Sequence, residues 1–369
     1  MSFMKVKIIT CHDVYNAGAS LQAYALMRYL QSKGCKVSII DYKPNYLSHH
    51  YELCYVANEK YQKVYYKPIY LLLKLPKRLL ALKSRKKSDF DLFKKDYLSL
   101  TARYNSFEDL VKNPPEADLY LTGSDQVWNP VFKNGFDPAF YLQFAPLNKI
   151  RASYAASFAT TPESNIYNSQ IKKWLSQLNK ISVREETALD ILKVYSLEGI
   201  RVLDPVFLLN NETWGEMCLT SKFYNFIFVN DFDDNKLIKD IAINLAKKYN
   251  LRIVSMTHLG YEDYIMENEG PLGFLTAIHN AKYVISNSFH VTAFSLIFHK
   301  DFYVVERTEK LNSRMKDLLG LVNLSSRLVK DTAEVQHVKR INWDFVESHI
   351  NGLRKISYEY LNELIGSVD

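Results

Sequence analysis

Twice along the chain, a short apolar β-rich run gives way to a helix-period run and then to another apolar run. The first series opens with KVKIIT (5–10) and a polar loop. A helix follows in which Ala19, Ala23, Leu26 and Leu30 recur on one face, with Gly34 just past its end and KVSIIDY (36–42) beyond. Strands this uniformly apolar suit a sheet covered on both faces. More strands are expected at DLYLTGS (118–124), ASYAASF (152–158), ISVR (181–184) and IRVLDP (200–205), with helices over about 163–178 and through EETALDILKVY. The rhythm restarts with a strand at NFIFVN (225–230), a helix over 234–249 and a strand at LRIVSM (251–256). A helix opened by Pro271 follows, then KYVISN (282–287), VTAFSLIFHK, DFYVV (301–305) and NSRMKDLLG. A long amphipathic helix from about residue 344 closes the chain. Alternation of this kind builds parallel sheets, so the expected fold is α/β, with two Rossmann-like domains facing a cleft and a C-terminal helix. The boundary is expected near Asn210–Glu212. Residues 1–210 then form the first domain, with a basic insertion over about 43–115, and 211–369 the second, with the terminal helix.

Composition excludes several classes. A chain of 369 residues exceeds one ordinary core, in keeping with two domains. Only 12 Gly and 11 Pro rule out a collagen-like, linker-rich or disordered chain. No apolar run approaches the length of a spanning helix, and MSFMKVKIIT lacks the features of a signal peptide, so the cytoplasm is expected. Cys11, Cys35, Cys54 and Cys218 are scattered with no CxxC pair, which indicates neither a zinc site nor a disulfide framework. No HExxH, GxSxG or Walker A motif occurs, and no metal is expected. The net charge of +7 is local: residues 60–95 hold twelve Lys/Arg against Asp89 and Asp91, or +10, which leaves −3 for the rest. Nucleic-acid binding would spread that charge along a reading face, and no nucleic-acid partner is expected.

In paired α/β domains, ligands bind at the carboxyl ends of strands. Four loops there carry candidate chemistry. His12–Gly18 enters a helix and offers backbone N–H groups and the Asn16 side chain to an anion or a sugar, unless it is a plain connection. GSDQVWNP (123–130) gathers Asp125, Gln126 and Asn129 around Trp128, whose face suits a sugar ring; the competing reading is a turn with a buried Trp anchor. Arg184 ends a strand and suits bidentate binding of a carboxylate or phosphate, or else an ion pair with Glu185, Glu186 or Asp204. KYVISNSFHVTAF runs from a strand through Ser288 to His290 at a helix start, where an imidazole can exchange protons and N–H groups favour an anion. His299, Arg307, Lys310 and Arg314 follow, and one or two of these are expected in the cleft.

Those segments, in this order, resemble the polysaccharide pyruvyl transferase family: YNAGASLQAYAL, GSDQVWNP, RASYAASFA (151–159), ISVREETA (181–188), VLDPVFLL (202–209), 271–305, and NSRMKDLLGL (312–321). The resemblance implies the GT-B arrangement and transfer of a pyruvyl group from phosphoenolpyruvate to a glycan precursor as a ketal, with release of phosphate. It implies a role in surface polysaccharide synthesis, such as that of a capsule or exopolysaccharide. Phosphoenolpyruvate is then the donor substrate, and no cofactor is implied. The family's histidine matches His290, and its donor-binding arginine matches Arg184. Some members carry Arg where this chain has Ser288, so Arg307, Lys310 or Arg314 is expected to add donor charge. His290 is the expected proton donor, with Asp125 or Asp13 taking a hydroxyl proton; Asn16, Gln126, Trp128 and Asn129 are the expected acceptor contacts. The alternatives are a GT-B glycosyltransferase using a nucleotide sugar and a non-catalytic glycan- or phosphate-binding protein. The basic segment 60–95, rich in Leu and Tyr, is read either as a helical arm packed on the first domain or as a peripheral contact with the inner face of a membrane, near a lipid-linked acceptor.

Overall fold

In the computed structural model, which describes residues 3–49, 51–56, 67–161, 168–307 and 313–366, the two β/α series form two parallel sheets. β1 (Lys5–Ile9), β2 (Lys36–Tyr42), β3 (Leu100–Tyr104), β4 (Leu119–Thr122) and β5 (Ile150–Ser153) lie in the order 3-2-1-4-5. Central β1 carries Ile8 opposite Ile39 on one side and Leu121 on the other. β6 (Ser182–Val183) and β7 (Ile200–Arg201) pair with each other, and bridges at Ala152–Lys180 and Ala156–Val183 join them to this sheet. The second sheet repeats the plan: β8 (Phe226–Asn230), β9 (Ile253–Ser255), β10 (Tyr264–Ile265), β11 (Ala281–Ser286) and β12 (Asp301–Val304) lie in the order 10-9-8-11-12. Strand order therefore reverses between β1 and β4 and again between β8 and β11, the two places where such sheets open a ligand crevice.

One apolar core runs through both sheets and the junction between them. Trp214 stands at that junction, fully buried, with Tyr24 of α1 (Ala17–Ser32) at 5.8 Å and Phe294 of the second domain at 5.1 Å. Its indole N–H donates to Val206 O at 2.9 Å, so the aromatic contact leaves no buried donor unmet.

Three features depart from the sequence pattern. The insertion is not irregular: it holds α2 (Lys67–Leu82), α3 (Arg85–Tyr97) and edge strand β3. LTARY of β3 is half-exposed along most of its length, so it carries no apolar run to mark it. The strand expected over 152–158 ends at Ser153, because Ala155 and Ala159 take left-handed φ values of 53° and 52° that turn the chain. The C-terminal helix Trp343–Gly366, expected with the second domain, crosses back to the first. Tyr360 OH donates to Ser153 O at 2.8 Å, Ser357 Oγ accepts from Leu203 N at 3.0 Å, and Tyr358 stacks on Tyr29 at 4.8 Å. Among the described residues, no helix is long and apolar enough to cross a membrane.

That crossing makes one face of the terminal helix part of the core. Leu361 is fully buried, whereas Ile356 is 38% exposed on the outer face. Leu361→Ala is expected to destabilise by about 2–5 kcal/mol and Ile356→Ala by less than about 0.5 kcal/mol, read from urea unfolding. Equal losses would mean that the helix does not dock by this face.

Candidate active site between the two sheets

The post-strand loops of both reversal points meet in a cleft of about 400 Å³. The first domain contributes Asn16–Gly18 after β1 and Asp125 and Gln126 after β4. The second contributes Asn230 at the end of β8 and Phe232 after it, and Asn287, Ser288, Phe289 and His290 after β11, with Arg307 and Arg314 farther along. Asn287 fixes the two second-domain loops to each other: its Oδ1 accepts from Phe232 N at 3.1 Å and its Nδ2 donates to Asp231 Oδ1 at 2.9 Å. The helix Phe289–Ile297 starts directly at the cleft, so its N-terminal dipole favours an anion there.

Behind this wall lies a buried charge cluster. Asp204, at the turn between the domains, accepts from Arg184 Nη1 at 2.6 Å and from Ser124 Oγ at 3.3 Å, and its Oδ2 lies 3.7 Å from His290 Nε2. Burial raises the affinity of Asp204 for a proton, but His290 and Arg184 outweigh it and hold the carboxyl well below its usual range. Arg314 is also buried. Burial, and then the charge of Arg184, lower its guanidinium to about 10. The Phe289 ring lies between the two arginines, 4.6 Å from the Arg184 guanidinium and 5.8 Å from that of Arg314. Arg184 Nη2, Arg314 Nε and His290 Nε2 are buried and make no hydrogen bond among the described residues. Unmet buried donors of this kind are costly, and two guanidiniums that repel each other are relieved by an entering anion.

The expected residues separate into three groups: those that line the cleft, Arg184 behind it, and those away from it. His290, Ser288, Arg307, Arg314, Asn16, Asp125 and Gln126 all line the cleft. Arg184 lies one layer behind, in a small void that shares Phe289 and Arg314 with the cleft; it makes its ion pair with Asp204 and keeps Nη2 unmet. Asn16 is also the helix cap, its Oδ1 accepting from Ala19 N at 3.2 Å. Asp125 holds φ at +83°, a strained conformation for a non-glycine residue that turns its carboxylate into the cleft wall.

Trp128 and Asn129 are not acceptor contacts. Trp128 is fully buried, stacked on Tyr141 at 5.6 Å and donating Nε1–H to Phe140 O, so no face is open to a sugar. Asn129 is buried within its own loop, donating to Gln126 Oε1 and accepting from Val131 N. Asp13 does not reach the cleft either: Lys43 (2.9 Å), Lys94 (3.3 Å) and Arg103 (3.3 Å) surround its carboxylate. Against burial, Lys43 first, then Lys94 and His12, hold its carboxyl at about 2. His299 stacks on Trp343 away from the cleft, and Lys310 falls outside the described residues. The Asp231-Phe232-Asp233 carboxylates, which the sequence pattern does not single out, have internal partners: Asp231 with Asn287 and Asn235, Asp233 with Arg307. Among the described residues no group of His, Cys, Asp or Glu is arranged to hold a metal.

Gly18 also escapes the sequence pattern. Its backbone passes so close to the other domain that a Cβ there would lie 2.1 Å from His290 Nδ1. A second groove of about 840 Å³ adjoins the cleft through Asn16, Asp125 and Gln126 and is walled by Tyr46, Tyr55 and Phe132.

The family profile for polysaccharide pyruvyl transferase matches residues 16–309, well over half of the chain. No curated protein matches the sequence. Among solved structures, UDP-GlcNAc 2-epimerase from Neisseria meningitidis bound to UDP-GlcNAc is similar at 12% identity and a TM-score of 0.53, over 98% of this chain and 100% of that one. UGT89C1 from Arabidopsis thaliana is similar at 10% identity and a TM-score of 0.52, over 100% of both chains. At these identities the likeness is one of fold, and that fold is the GT-B arrangement.

Gly18→Ala is expected to move either α1 or the His290 ring, lowering stability by about 1–3 kcal/mol and shifting the His290 imidazole resonances in NMR spectra. Unchanged resonances would deny the close approach. The Asp13 carboxyl titrates lower in the folded chain than in the unfolded one, so its stabilisation is complete above about pH 4 and lost as pH falls toward about 2. Asp13→Asn is expected to be less stable at neutral pH and to show a shallower loss across that window, measured by urea unfolding at stepped pH.

Proposed function

The chain belongs to the polysaccharide pyruvyl transferase family, and we propose that it moves the pyruvyl group of phosphoenolpyruvate onto two hydroxyls of a sugar in a glycan precursor, as a cyclic ketal, releasing phosphate. The observation that most supports this is the set of unmet buried donors on Arg314, Arg184 and His290 beside the start of helix Phe289–Ile297. Such a set suits a small, highly charged anion carrying both phosphate and carboxylate. Arg314 and Arg307 face the cleft, and Arg184 stands behind as the second charged layer.

In this reading His290 delivers a proton to the methylene carbon of the donor, and positive charge develops at C2. The first sugar hydroxyl forms a C–O bond to C2, the C2–O bond to phosphate breaks, and the second hydroxyl closes the ketal. The two hydroxyls release two protons: one replaces the proton now on the methyl group, and the other leaves with phosphate. Asp204 remains a carboxylate and positions the imidazole; Asp125, on the side shared with the second groove, accepts a hydroxyl proton. Asn16 and Gln126 contact the acceptor at the mouth of that groove, and Tyr46, Tyr55 and Phe132 offer it the aromatic wall that Trp128 does not. The donor arrives already activated, so this reaction draws on no further cofactor, and we assign it to the cytoplasm.

The test is phosphate release from phosphoenolpyruvate in the presence of a sugar acceptor. His290→Gln is expected to fold normally and lose on the order of 10²–10⁴ in kcat. Arg184→Lys keeps the charge but loses the planar fork, and is expected to raise the donor KM strongly, with Arg184→Ala worse. Wild-type turnover by His290→Gln would remove the proton-donor role. If both Arg184 variants lower only the melting temperature, Arg184 serves the fold alone. Turnover of a nucleotide sugar without use of phosphoenolpyruvate would replace the proposal with glycosyl transfer.

A further inference from the structure

Helix α2 is built inside out. In a globular protein the apolar stripe of an amphipathic helix faces the core. Here Ile69, Leu72, Leu73 and Leu80, with Pro76, fall at helical spacing on one face, and that face is open to solvent. Ile69 is 61% exposed, Leu72 72%, Leu73 75% and Leu80 72%, with Leu79 beside them at 46%. Isolated exposed leucines are ordinary, but five large apolar side chains along one 16-residue helix form a patch that calls for a partner.

The surroundings of the patch decide the partner. Residues 67–88 carry eight Lys or Arg and no acid. An apolar stripe bordered by cations matches the interface of an anionic bilayer, where leucines enter the acyl boundary and the cations meet lipid phosphates. A second copy of the chain fits poorly, because pairing two such arms would bring sixteen like charges together. A nucleic acid would satisfy the cations and leave the leucines in water.

The arm also has a defined place relative to the cleft. α3 follows α2 after a short link and is N-capped by Ser84. It is fastened to the first domain by Asp91, which accepts from Tyr15 OH at 3.1 Å, and by Lys94, which pairs with Asp13 at 3.3 Å. It is fastened to the second by Arg85, which donates to Glu267 O at 2.9 Å, and by Asp89, which accepts from Glu269 N at 2.9 Å. Lys86 and Phe90, on the same helix, line the cleft.

We infer that α2 docks the protein on an anionic lipid bilayer, with the mouth of the cleft held beside that surface. On the reaction proposed above, an acceptor carried by a lipid would meet the cleft without leaving the bilayer; the docking itself does not depend on that reaction.

The experiment is co-sedimentation of the full chain, without substrate, with vesicles of phosphatidylcholine alone or mixed with phosphatidylglycerol. Binding is expected only with the anionic vesicles, rising with their phosphatidylglycerol fraction and falling steeply with salt. Lys74→Glu with Lys77→Glu is expected to weaken it at least about tenfold. Leu72→Glu with Leu73→Glu should abolish it, and Leu72→Ala with Leu73→Ala should weaken it, both with an unchanged melting temperature because these side chains are already in water. Equal sedimentation with neutral and anionic vesicles overturns the inference, as does binding that survives loss of both leucines. Light scattering that shows a dimer, made monomeric by the leucine changes, would assign the face to a second copy. Binding to a DNA duplex that outcompetes anionic vesicles would assign it to nucleic acid. Phosphate release with a soluble acceptor is measured separately, so failure of docking and failure of the proposed reaction are told apart.

Discussion

The Asp204 carboxylate is the point on which both domains and the charge cluster turn. One oxygen caps the turn that leads out of the first domain, accepting from Val206 N at 3.1 Å. The other receives Arg184 at 2.6 Å and Ser124 at 3.3 Å, and faces His290 of the second domain at 3.7 Å. Three distant segments are thereby referred to one fully buried side chain. A buried ion pair of this kind adds little net stability, because desolvation offsets the attraction. Removing one member is a different matter, since it leaves the other charge buried and uncompensated. The arrangement is thus better explained by the need to hold charged groups in fixed places than by the need to hold the fold together.

That constraint explains the electrostatics of the cleft. Asp204 answers Arg184, and Glu185, three of whose acceptor contacts go to Ser157 Oγ and the Phe158 and Ala159 N–H groups, lies 3.8 Å from Arg184 Nε. Among the described residues Arg314 Nε has no hydrogen-bond partner, and burial and the charge of Arg184 make its guanidinium easier to deprotonate than an ordinary arginine. An anion at that position supplies the missing charge and accepts the unmet N–H. On the proposed reading, an anion would bind at least cost where the protein's own positive charge is least well answered, and that place adjoins His290.

Much of this was legible in the chain, and the parts that were not share a cause. The β/α rhythm reports which residues alternate between core and solvent, so both sheets and the loops at their carboxyl ends follow from it. It does not report which side of a loop faces inward. GSDQVWNP reads as one polar cluster around an aromatic platform, yet Asp125 and Gln126 reach the cleft while Trp128 and Asn129 fold under it. The polar groups of that loop satisfy one another, which sequence spacing cannot reveal. Gly18 is silent for a related reason: its φ is unexceptional, and only the proximity of His290 excludes a side chain. Edge strand β3 went unmarked because an edge exposed to water needs no apolar run.

A cleft shared by two domains is only as well defined as their relative position, and the loops that line it do not set that position alone. Besides the apolar junction around Trp214, three ties from far apart in the chain bear on it. Asp204 joins His290 to the first domain from the interdomain turn. The terminal helix returns from the second domain to Ser153, Leu203 and Tyr29. α3, from the segment with the weakest pattern, grips Asp13 and Tyr15 on one side and residues 267 and 269 on the other. The chemical groups that the loops offer can be read locally, from residue type alone. The geometry that lets those loops act together is non-local, and it rests on residues whose types alone carry no functional signal. A change in α3 or the terminal helix at a position outside the cleft, such as Arg85 or Tyr360, therefore bears on the cleft without altering a residue that lines it.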